Sequence, residues 1–227
     1  MPSPRPFHVM TKPTGAVCNL DCTYCFYLAK EELYPGSDFR MDDAVLEAYV
    51  TGLLAAHRGM DEVVVAFQGG EPTMMGLSFF EQVLDIERAH AQPGQVILNT
   101  LQTNATLIDV AWARFLGDNG VLVGVSIDGP RELHDAYRVD KGGKPTFDRV
   151  MTGLDALRRH GVEWNCLTTV NAANAEHGRE VYRFLRDTCG AEFMQFIPVV
   201  EVQDGSVSEH SVSGAAFGRF MIEVFDE

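Results

Sequence analysis

The chain has 227 residues, a formal net charge of −14 and 46% hydrophobic residues. This length suits a single α/β domain, and the acidic charge disfavours nucleic acid as a partner, because that affinity depends on lysine and arginine contacts to phosphate. No apolar run of about eighteen residues occurs, so no transmembrane helix is expected. Residues 1–7 hold prolines and no apolar stretch, so we expect no signal peptide. A cytoplasmic location and reduced thiols are therefore expected.

The first predicted strand, residues 8–11, leads into the segment Cys18-Asn-Leu-Asp-Cys22-Thr-Tyr-Cys25. Its three cysteines are separated by three and then by two residues. Thiolates are ligands that suit iron–sulfur clusters, zinc and Cu(I). Three thiolates can hold three irons of a four-iron cube and leave the fourth iron open to a substrate or cofactor. The spacing therefore makes an open cluster the leading hypothesis.

Two other interpretations of these cysteines remain open. A structural zinc site takes four ligands, usually in two close pairs, and no further cysteine or histidine follows Cys25 within about thirty residues. Cys22 and Cys25 form a C-x-x-C pair of the redox type, which leaves Cys18 without a role. Cys166 and Cys189 lie in a predicted strand and near a predicted helix end, where free cysteines are often simply buried, so we assign neither to a metal.

Strand-like and helix-like segments alternate along the rest of the chain. Apolar runs of strand length cover residues 62–67, 96–101, 121–127, 163–170 and 193–200. Helices are predicted to begin at Asp42, at a capping box over 78–81 and at 106–109, and to cover 147–157, 181–185 and 217–224. Residues 203–213 are predicted to be a loop, and Phe67, Trp112 and Trp164 to be core. The alternation predicts an α/β fold with a parallel sheet of six units, short of the eight of a closed barrel.

Polar motifs follow several of these strands, at the edge where active-site residues of parallel sheets gather. They are the segments Gln68-Gly-Gly-Glu-Pro72, Leu101-Gln-Thr-Asn104, Ser126-Ile-Asp-Gly129 and Gln195-Phe-Ile-Pro198, with Arg138 shortly after the third. The two glycines allow a close approach of backbone to a ligand, and the planar fork of arginine suits a carboxylate. Each motif also has an ordinary interpretation, as a glycine turn, a polar loop or a surface charge, and His134 is interpreted as a structural residue.

The C-x3-C-x2-C pattern with Tyr24 before the last cysteine, together with Gly-Gly-Glu-Pro, resembles the signature of radical S-adenosylmethionine (SAM) enzymes. The resemblance implies an open six-unit (β/α)6 partial TIM barrel in which Cys18, Cys22 and Cys25 hold a [4Fe-4S] cluster whose open iron binds SAM. An electron from the cluster cleaves SAM to methionine and a 5'-deoxyadenosyl radical, which abstracts hydrogen from a substrate. The cofactor contacts that it implies are Tyr24, Gly69, Gly70, Ser126, Arg138 and Met194, with Glu71 bracing the loop.

The wider set of motifs is similar to the anaerobic sulfatase-maturating enzymes, which oxidise a Cys or Ser of a sulfatase to Cα-formylglycine. This likeness implies a sulfatase polypeptide or a Cys- or Ser-containing peptide as substrate and a reduced flavodoxin or ferredoxin as electron donor. The residues that it implies on the substrate side are Tyr27, as the candidate catalytic residue, and Gln68, Gln102 and Asn104. Two alternative functions remain open: another peptide-modifying member of the superfamily, and a non-catalytic module that binds a metal or a peptide.

One departure from that family concerns the end of the chain. Family members continue into a cysteine-rich domain that binds two further clusters and supplies an aspartate proposed as the base. Here no cysteine follows Cys189, and the chain stops at Glu227 within a predicted helix. We therefore predict a radical SAM core domain over residues 1–227 without the auxiliary-cluster domain, and assign no catalytic base.

Overall fold

A computed structural model describes residues 6–203 and 205–227; the expectation of no signal peptide rests mostly on residues 1–5, which lie outside this range. Six strands form one sheet: β1 Met10–Thr11, β2 Glu62–Phe67, β3 Val96–Thr103, β4 Leu122–Ser126, β5 Trp164–Val170 and β6 Met194–Pro198. Each strand pairs in parallel with the next along the chain, so β1 and β6 are the two edges. The sheet is open, which confirms the predicted partial barrel.

Helices connect successive strands and cover the sheet. They are α1 Asp43–Ala56, α2 Leu77–His90, α3 Val110–Asp118, α4 Arg131–Asp135, α5 Phe147–Arg159, α6 Gly178–Arg183 and α7 Gly214–Phe225. The last turns after α6 are π-helical over Phe184–Cys189, and 3-10 turns lie at Leu28–Leu33 and Pro72–Met75. Within the described residues, no helix has the length and apolar character needed to cross a membrane.

The main core forms where the helices pack on the sheet. Along β2, Val63, Val65 and Phe67 alternate into the interior and are nearly inaccessible. The Phe67 ring packs edge-to-face against Phe79 and Phe80 of α2, with ring centroids 6.1 and 5.2 Å apart. Burial of apolar side chains of this size contributes about 1.5–3 kcal/mol each. This packing holds the carboxyl ends of the strands at one rim of the sheet.

The predicted helix starts were correct where an aspartate supplies the cap. Asp42 accepts a hydrogen bond from the backbone N–H of Val45, and Asp109 accepts one from Trp112. The capping box predicted over 78–81 is wrong, because the helix begins at Leu77 after Gly76, which has a φ of 85° and makes no side-chain cap. The glycine ends the preceding 3-10 turn and starts the helix at the same residue.

Two short elements differ from the predictions. The segment predicted as a loop over 203–213 begins within a small antiparallel hairpin, β7 Val202–Gln203 and β8 Ser206–Val207. The short helix α4 lies in a stretch for which no element was predicted. Of the residues predicted as core, Phe67 and Trp112 are buried, and Trp164 is half-buried against the core.

Candidate active site

A cavity of about 400 Å³ opens at the carboxyl ends of the strands. Most of the residues singled out in the sequence line it: Cys18, Cys22, Tyr24, Cys25, Tyr27, Gln68, Gly69, Gly70, Gln102, Asn104, Ser126 and Arg138. They come from the cysteine loop and the residues just after it, from the ends of β2, β3 and β4, and from the segment after α4. The parallel sheet therefore brings together residues that are more than a hundred positions apart in the chain.

The cysteine loop, residues 18–25, is held by backbone pairing to a distant segment. The N–H of Asp21 donates to the carbonyl of Val139 at 2.8 Å, and that of Thr23 donates to Tyr137 at 3.0 Å. The loop thereby packs its thiols into the cavity wall. Burial raises the pKa of Cys18 to about 11 and that of Cys22 to about 12, so both are neutral thiols at pH 7 in the protein without metal.

Asn104 contacts the first cysteine of the loop. Its Nδ2 lies 3.6 Å from Cys18 Sγ and 2.9 Å from Asn19 Oδ1, and the backbone N–H of Leu20 reaches the same sulfur at 3.4 Å. Its Oδ1 accepts hydrogen bonds from the backbone and hydroxyl of Thr106. The side-chain contacts of Asn104 are thus to the cysteine loop and its own turn, while its substrate role stays a prediction.

The Gly69–Gly70 turn brings backbone against the cysteine loop. Gly69 has a φ of 80°, and a Cβ there would lie 2.5 Å from the Lys12 side chain. A Cβ on Gly70 would overlap the carbonyl of Val17, the residue before the first cysteine. The Glu71 N–H donates to that same carbonyl at 3.0 Å. Both positions therefore require glycine, one for its conformation and one for space.

Glu71 is fully buried behind the cavity wall and does not line the cavity. Its Oε1 accepts hydrogen bonds from the N–H and hydroxyl of Thr73 and from the hydroxyl of Thr103, and its Oε2 accepts one from the N–H of Asn104. Burial raises the pKa of this carboxyl, and the four hydrogen bonds oppose the rise. The contacts join the glycine turn to the end of β3.

Gln102 and Ser126 lie side by side across neighbouring strands. The Gln102 Nε2 donates to Ser126 Oγ at 3.0 Å, and its Oε1 occupies the space that a Cβ on Gly124 would need. Glycine inside a strand is a common mark of such close approach. Gly124 was not identified from the sequence, although it interrupts an otherwise apolar run.

Arg138 and Tyr24 converge on a buried aspartate that was not predicted as a site residue. The Asp128 carboxylate lies 2.9 Å from Arg138 Nε and accepts hydrogen bonds from Arg138 Nη2 at 3.1 Å and from Tyr24 Oη at 2.5 Å. Burial opposes ionisation of Asp128, but the guanidinium outweighs it and holds the pKa below its usual value. The motif Ser126-Ile-Asp-Gly129 contained this residue, yet no signal in the sequence paired it with Tyr24.

Met194 is placed differently from its prediction as a cofactor contact. It is the first residue of β6 and packs against the main core, and it does not line the cavity. The β6 strand runs towards the cavity, so its last residues and those that follow, Ile197 to Val200, form the wall instead. This placement argues against the Met194 contact.

Tyr27 lies at the mouth of the cavity and also lines a neighbouring groove. Its ring is 4.8 Å from Lys12 Nζ and 4.2 Å from the ring of Phe26, which is 64% exposed. Gln68 lines the cavity beside it, and its N–H donates to the carbonyl of Thr11 at 2.7 Å. Both residues are therefore accessible to a molecule that enters the cavity.

Across residues 6–203 and 205–227, no group of three cysteine, histidine or acidic side chains is placed so that it could hold a single metal ion. A structural zinc site needs four ligands around one ion. A four-iron cube instead takes one thiolate on each of three irons, so its sulfur ligands surround the cube and do not meet at one point. The three thiols on one cavity wall match the second pattern in number and kind.

Comparison with known proteins identifies the family. The model of the family described as "Radical SAM superfamily" matches residues 13–185, which span the cysteine loop and strands β2 to β5. The chain belongs to the radical SAM superfamily.

Within the superfamily, the chain is similar to anaerobic sulfatase-maturating enzymes. It is 39% identical over 243 residues to the serine-type enzyme of Bacteroides thetaiotaomicron, covering 100% of this chain and 58% of the relative. It is 37% identical over 224 residues to the cysteine-type enzyme of Clostridium perfringens, covering 97% of this chain and 60% of the relative. The chain thus spans about three fifths of the length of these relatives.

Solved structures agree with this assignment. A structure described as native anSMEcpe with bound AdoMet and Cp18Cys peptide superposes with a TM-score of 0.86 at 37% identity, covering 96% of this chain and 58% of that one. Streptococcus suis SuiB superposes with a TM-score of 0.67 at 16% identity, covering 96% of this chain and 45% of that one, and shows the shared fold alone.

Proposed function

We propose that this chain is the SAM-cleaving core of a sulfatase-maturating enzyme that oxidises a Cys or Ser of a sulfatase to Cα-formylglycine. The observation that carries the proposal is the cavity wall, where Cys18, Cys22 and Cys25 stand beside Gly69 and Gly70. A set of three soft ligands next to exposed backbone suits a cluster with one open iron and a ligand bound to that iron. The similarity to serine- and cysteine-type enzymes supports the same reaction class.

The residues present fit both groups. Cys18, Cys22 and Cys25 would hold the [4Fe-4S] cluster, and the Asn104 amide would direct an N–H towards the first of these sulfurs. When bound, the cluster and SAM would supply reductive cleavage of SAM and a 5'-deoxyadenosyl radical that takes a hydrogen atom from the substrate. A reduced flavodoxin or ferredoxin would supply the electron to the cluster that the cysteine loop would hold.

The other cavity residues would orient SAM. Gly69 and Gly70 line the cavity, so their peptide groups would bind the amino group. Arg138 carries a buried positive charge suited to the SAM carboxylate, with Ser126 beside it on the wall. The Tyr24 ring would form the floor of the site. Ile197 to Val199 would provide the apolar surface along the adenosyl group.

The substrate peptide would enter past Tyr27, with Gln68 and Gln102 as hydrogen-bonding groups on the wall. Loss of one hydrogen atom from the cysteine Cβ to the 5'-deoxyadenosyl radical, followed by loss of a proton to a base and of an electron to an auxiliary iron–sulfur cluster of the kind that family members carry, would leave a thioaldehyde. Water then replaces the sulfur, which leaves as hydrogen sulfide, and the aldehyde remains. Serine reaches the same aldehyde directly, so one cavity serves either substrate type.

Anaerobic reconstitution tests the proposal. We expect about four iron atoms per chain, release of 5'-deoxyadenosine with dithionite, and loss of both in Cys22→Ala. Cys189→Ala is the matched control, because Cys189 is buried after α6 and does not line the cavity. Zinc as the sole bound metal, or iron without any 5'-deoxyadenosine, would favour a non-catalytic binding module.

The substrate is tested by mass spectrometry of sulfatase-derived peptides carrying Cys or Ser, using protein that includes the remaining length of the relatives. A formylglycine product from either peptide supports the proposal. Crosslinking or epimerisation of a peptide in place of aldehyde formation would point to another peptide-modifying member of the superfamily.

A further inference from the structure

Asp128 is a buried carboxylate that receives hydrogen bonds from three separate parts of the chain. Besides Tyr24 and Arg138, the backbone N–H of Thr169 in β5 donates to its Oδ1 at 3.0 Å. The side chain of Asp128 is 0% exposed, and that of Arg138 is 7% exposed. Charges buried to this degree are found in proteins when they are paired and hydrogen-bonded. Asp128 therefore joins the cysteine loop, the segment after α4 and strand β5.

Asp128 does not face the cavity, so it does not contact a ligand bound there. Tyr24 and Arg138 line the cavity, whereas Asp128 does not. Any effect of Asp128 on a bound ligand must pass through these two side chains or through Thr169, which also lines the cavity and donates its N–H to the carboxylate. Tyr24 lies between Cys22 and Cys25, so its hydroxyl connects the cysteine loop to the carboxylate that also holds the guanidinium.

A second set of hydrogen bonds fixes the backbone of the same residues. The N–H of Asp128 donates to His134 Nδ1 at 3.4 Å, and His134 Nε2 lies 3.2 Å from Thr146 Oγ1. The Thr146 hydroxyl donates to the carbonyl of Arg138 at 2.7 Å. Asn174 Nδ2 donates to the carbonyl of Asp128 at 3.0 Å. Aspartate and arginine are thus held at the backbone as well as at their side chains.

We propose that Asp128 is a positioning residue that couples the cysteine loop to Arg138, holding the thiols and the SAM-binding guanidinium in one relative geometry. The inference deepens the proposed function and rests on it for the role of Arg138. The coupling to Tyr24 concerns the protein itself and is measurable without cluster or SAM. Because one carboxylate serves both partners, loss of its charge loosens both at once.

The test uses Asp128→Asn and Tyr24→Phe. In cluster-free protein, we expect Asp128→Asn to raise the rate of Cys22 alkylation by iodoacetamide about tenfold, the effect of losing one charge-assisted hydrogen bond. In the reconstituted protein with dithionite, we expect the KM for SAM to rise by about the same factor with a smaller change in kcat. Tyr24→Phe keeps the Asp128–Arg138 pair and should raise the alkylation rate while changing the KM less.

Two control variants separate positioning from general destabilisation. Asp148→Asn removes the carboxylate of an exposed ion pair with Arg131 and should leave both readouts at the wild-type values. Leu154→Ala opens the core of α5, away from the cavity, and should lower the melting temperature without shifting the KM for SAM. The proposal is overturned if Leu154→Ala reproduces both shifts.

Two further results would also overturn it. One is an unchanged alkylation rate in Tyr24→Phe, which decides this point because the negative charge of Asp128 itself disfavours the Cys22 thiolate, so that its removal speeds alkylation even without any loosening of the loop. The other is an unchanged KM for SAM in folded Asp128→Asn. A wild-type protein that cleaves no SAM would instead defeat the proposed function, and the alkylation measurement would still report whether Asp128 holds the cysteine loop.

Discussion

Gly70 shows at the scale of one residue how the cavity depends on backbone proximity. Its Cα faces the carbonyl of Val17, which also accepts a hydrogen bond from Glu71. The turn and the start of the cysteine loop therefore share one surface with no room for a side chain. A methyl group at this position has to displace the residue that precedes Cys18.

We expect Gly70→Ala to lower the free energy of unfolding by about 1–3 kcal/mol, the usual cost of overpacking, and to abolish SAM binding. Urea unfolding and calorimetric titration of the reconstituted protein with SAM measure the two effects. Gly214→Ala is the control, because a Cβ on Gly214 at the start of α7 meets nothing within 4 Å. If Gly70→Ala still bound SAM fully, the glycine turn could move away from the cysteine loop without affecting the site, and the prediction would be wrong.

The sequence alone was sufficient to predict which residues line the cavity where those residues belong to one short motif. The cysteines and the Gly-Gly-Glu-Pro segment each lie within a few positions, and the strands carried them to one cavity as predicted. Asp128 was missed as a site residue because its partner Tyr24 is 104 positions away. A carboxylate at a strand end predicts nothing about its partner until the three-dimensional fold brings the two together.

At the scale of an element, two helical glycines differ in whether the packing of their helix leaves room for a side chain. Gly153 in α5 faces the loop after β3, where a Cβ would overlap the carbonyl of Ala105. Ala105 has a φ of 58°, an uncommon conformation for a residue with a side chain. Gly52 in α1 has nothing within 4 Å of the corresponding point. Close approach of α5 therefore requires glycine, whereas α1 gains nothing from it.

We expect Gly153→Ala to destabilise the protein by about 1–3 kcal/mol through overpacking. The matched variant Gly52→Ala should stabilise it by about 0.5–1 kcal/mol, because alanine has the higher helix propensity. Urea unfolding at constant pH measures both. Equal changes of the same sign in the two variants would contradict the packing of α5 on the loop after β3.

The long periodic elements were predictable because burial of one face imposes a regular pattern on the sequence. Strand β2 matched its prediction at both ends, α5 matched within two residues, and α1 begins one residue after its predicted start. Strand β1 is shorter than predicted, and residues 8 and 9 are exposed at the edge of the sheet. Helix α4 has five residues and the β7–β8 hairpin has strands of two residues, lengths at which periodicity carries no signal.

At the scale of the whole molecule, the site exists only while the sheet is assembled. The cavity wall extends from the cysteine loop, which follows β1, to the end of β6 and the residues after it, so segments at both edges of the sheet contribute to it. His134 lies within the network behind this wall. It is fully buried, with Asp128, Arg138 and Thr146 as its polar and charged neighbours and the ring of Phe147 at 5.8 Å.

The charge state of His134 links the stability of the whole fold to pH. Burial, with a smaller contribution from Arg138, lowers its pKa to about 3, against 6.5 for an unperturbed histidine. Between these values the unfolded chain binds a proton that the folded chain does not, so stability is lost as pH falls from 6.5 to 3, by about 5 kcal/mol in total.

We expect His134→Gln to be less stable at pH 7 and to reduce the slope of unfolding free energy between pH 6 and 4 by about 1.4 kcal/mol per pH unit. Urea unfolding at several pH values measures the slope, with His90→Gln as the exposed control. Parallel pH profiles for His134→Gln and the wild type would show that His134 takes up a proton equally well in the folded and unfolded states.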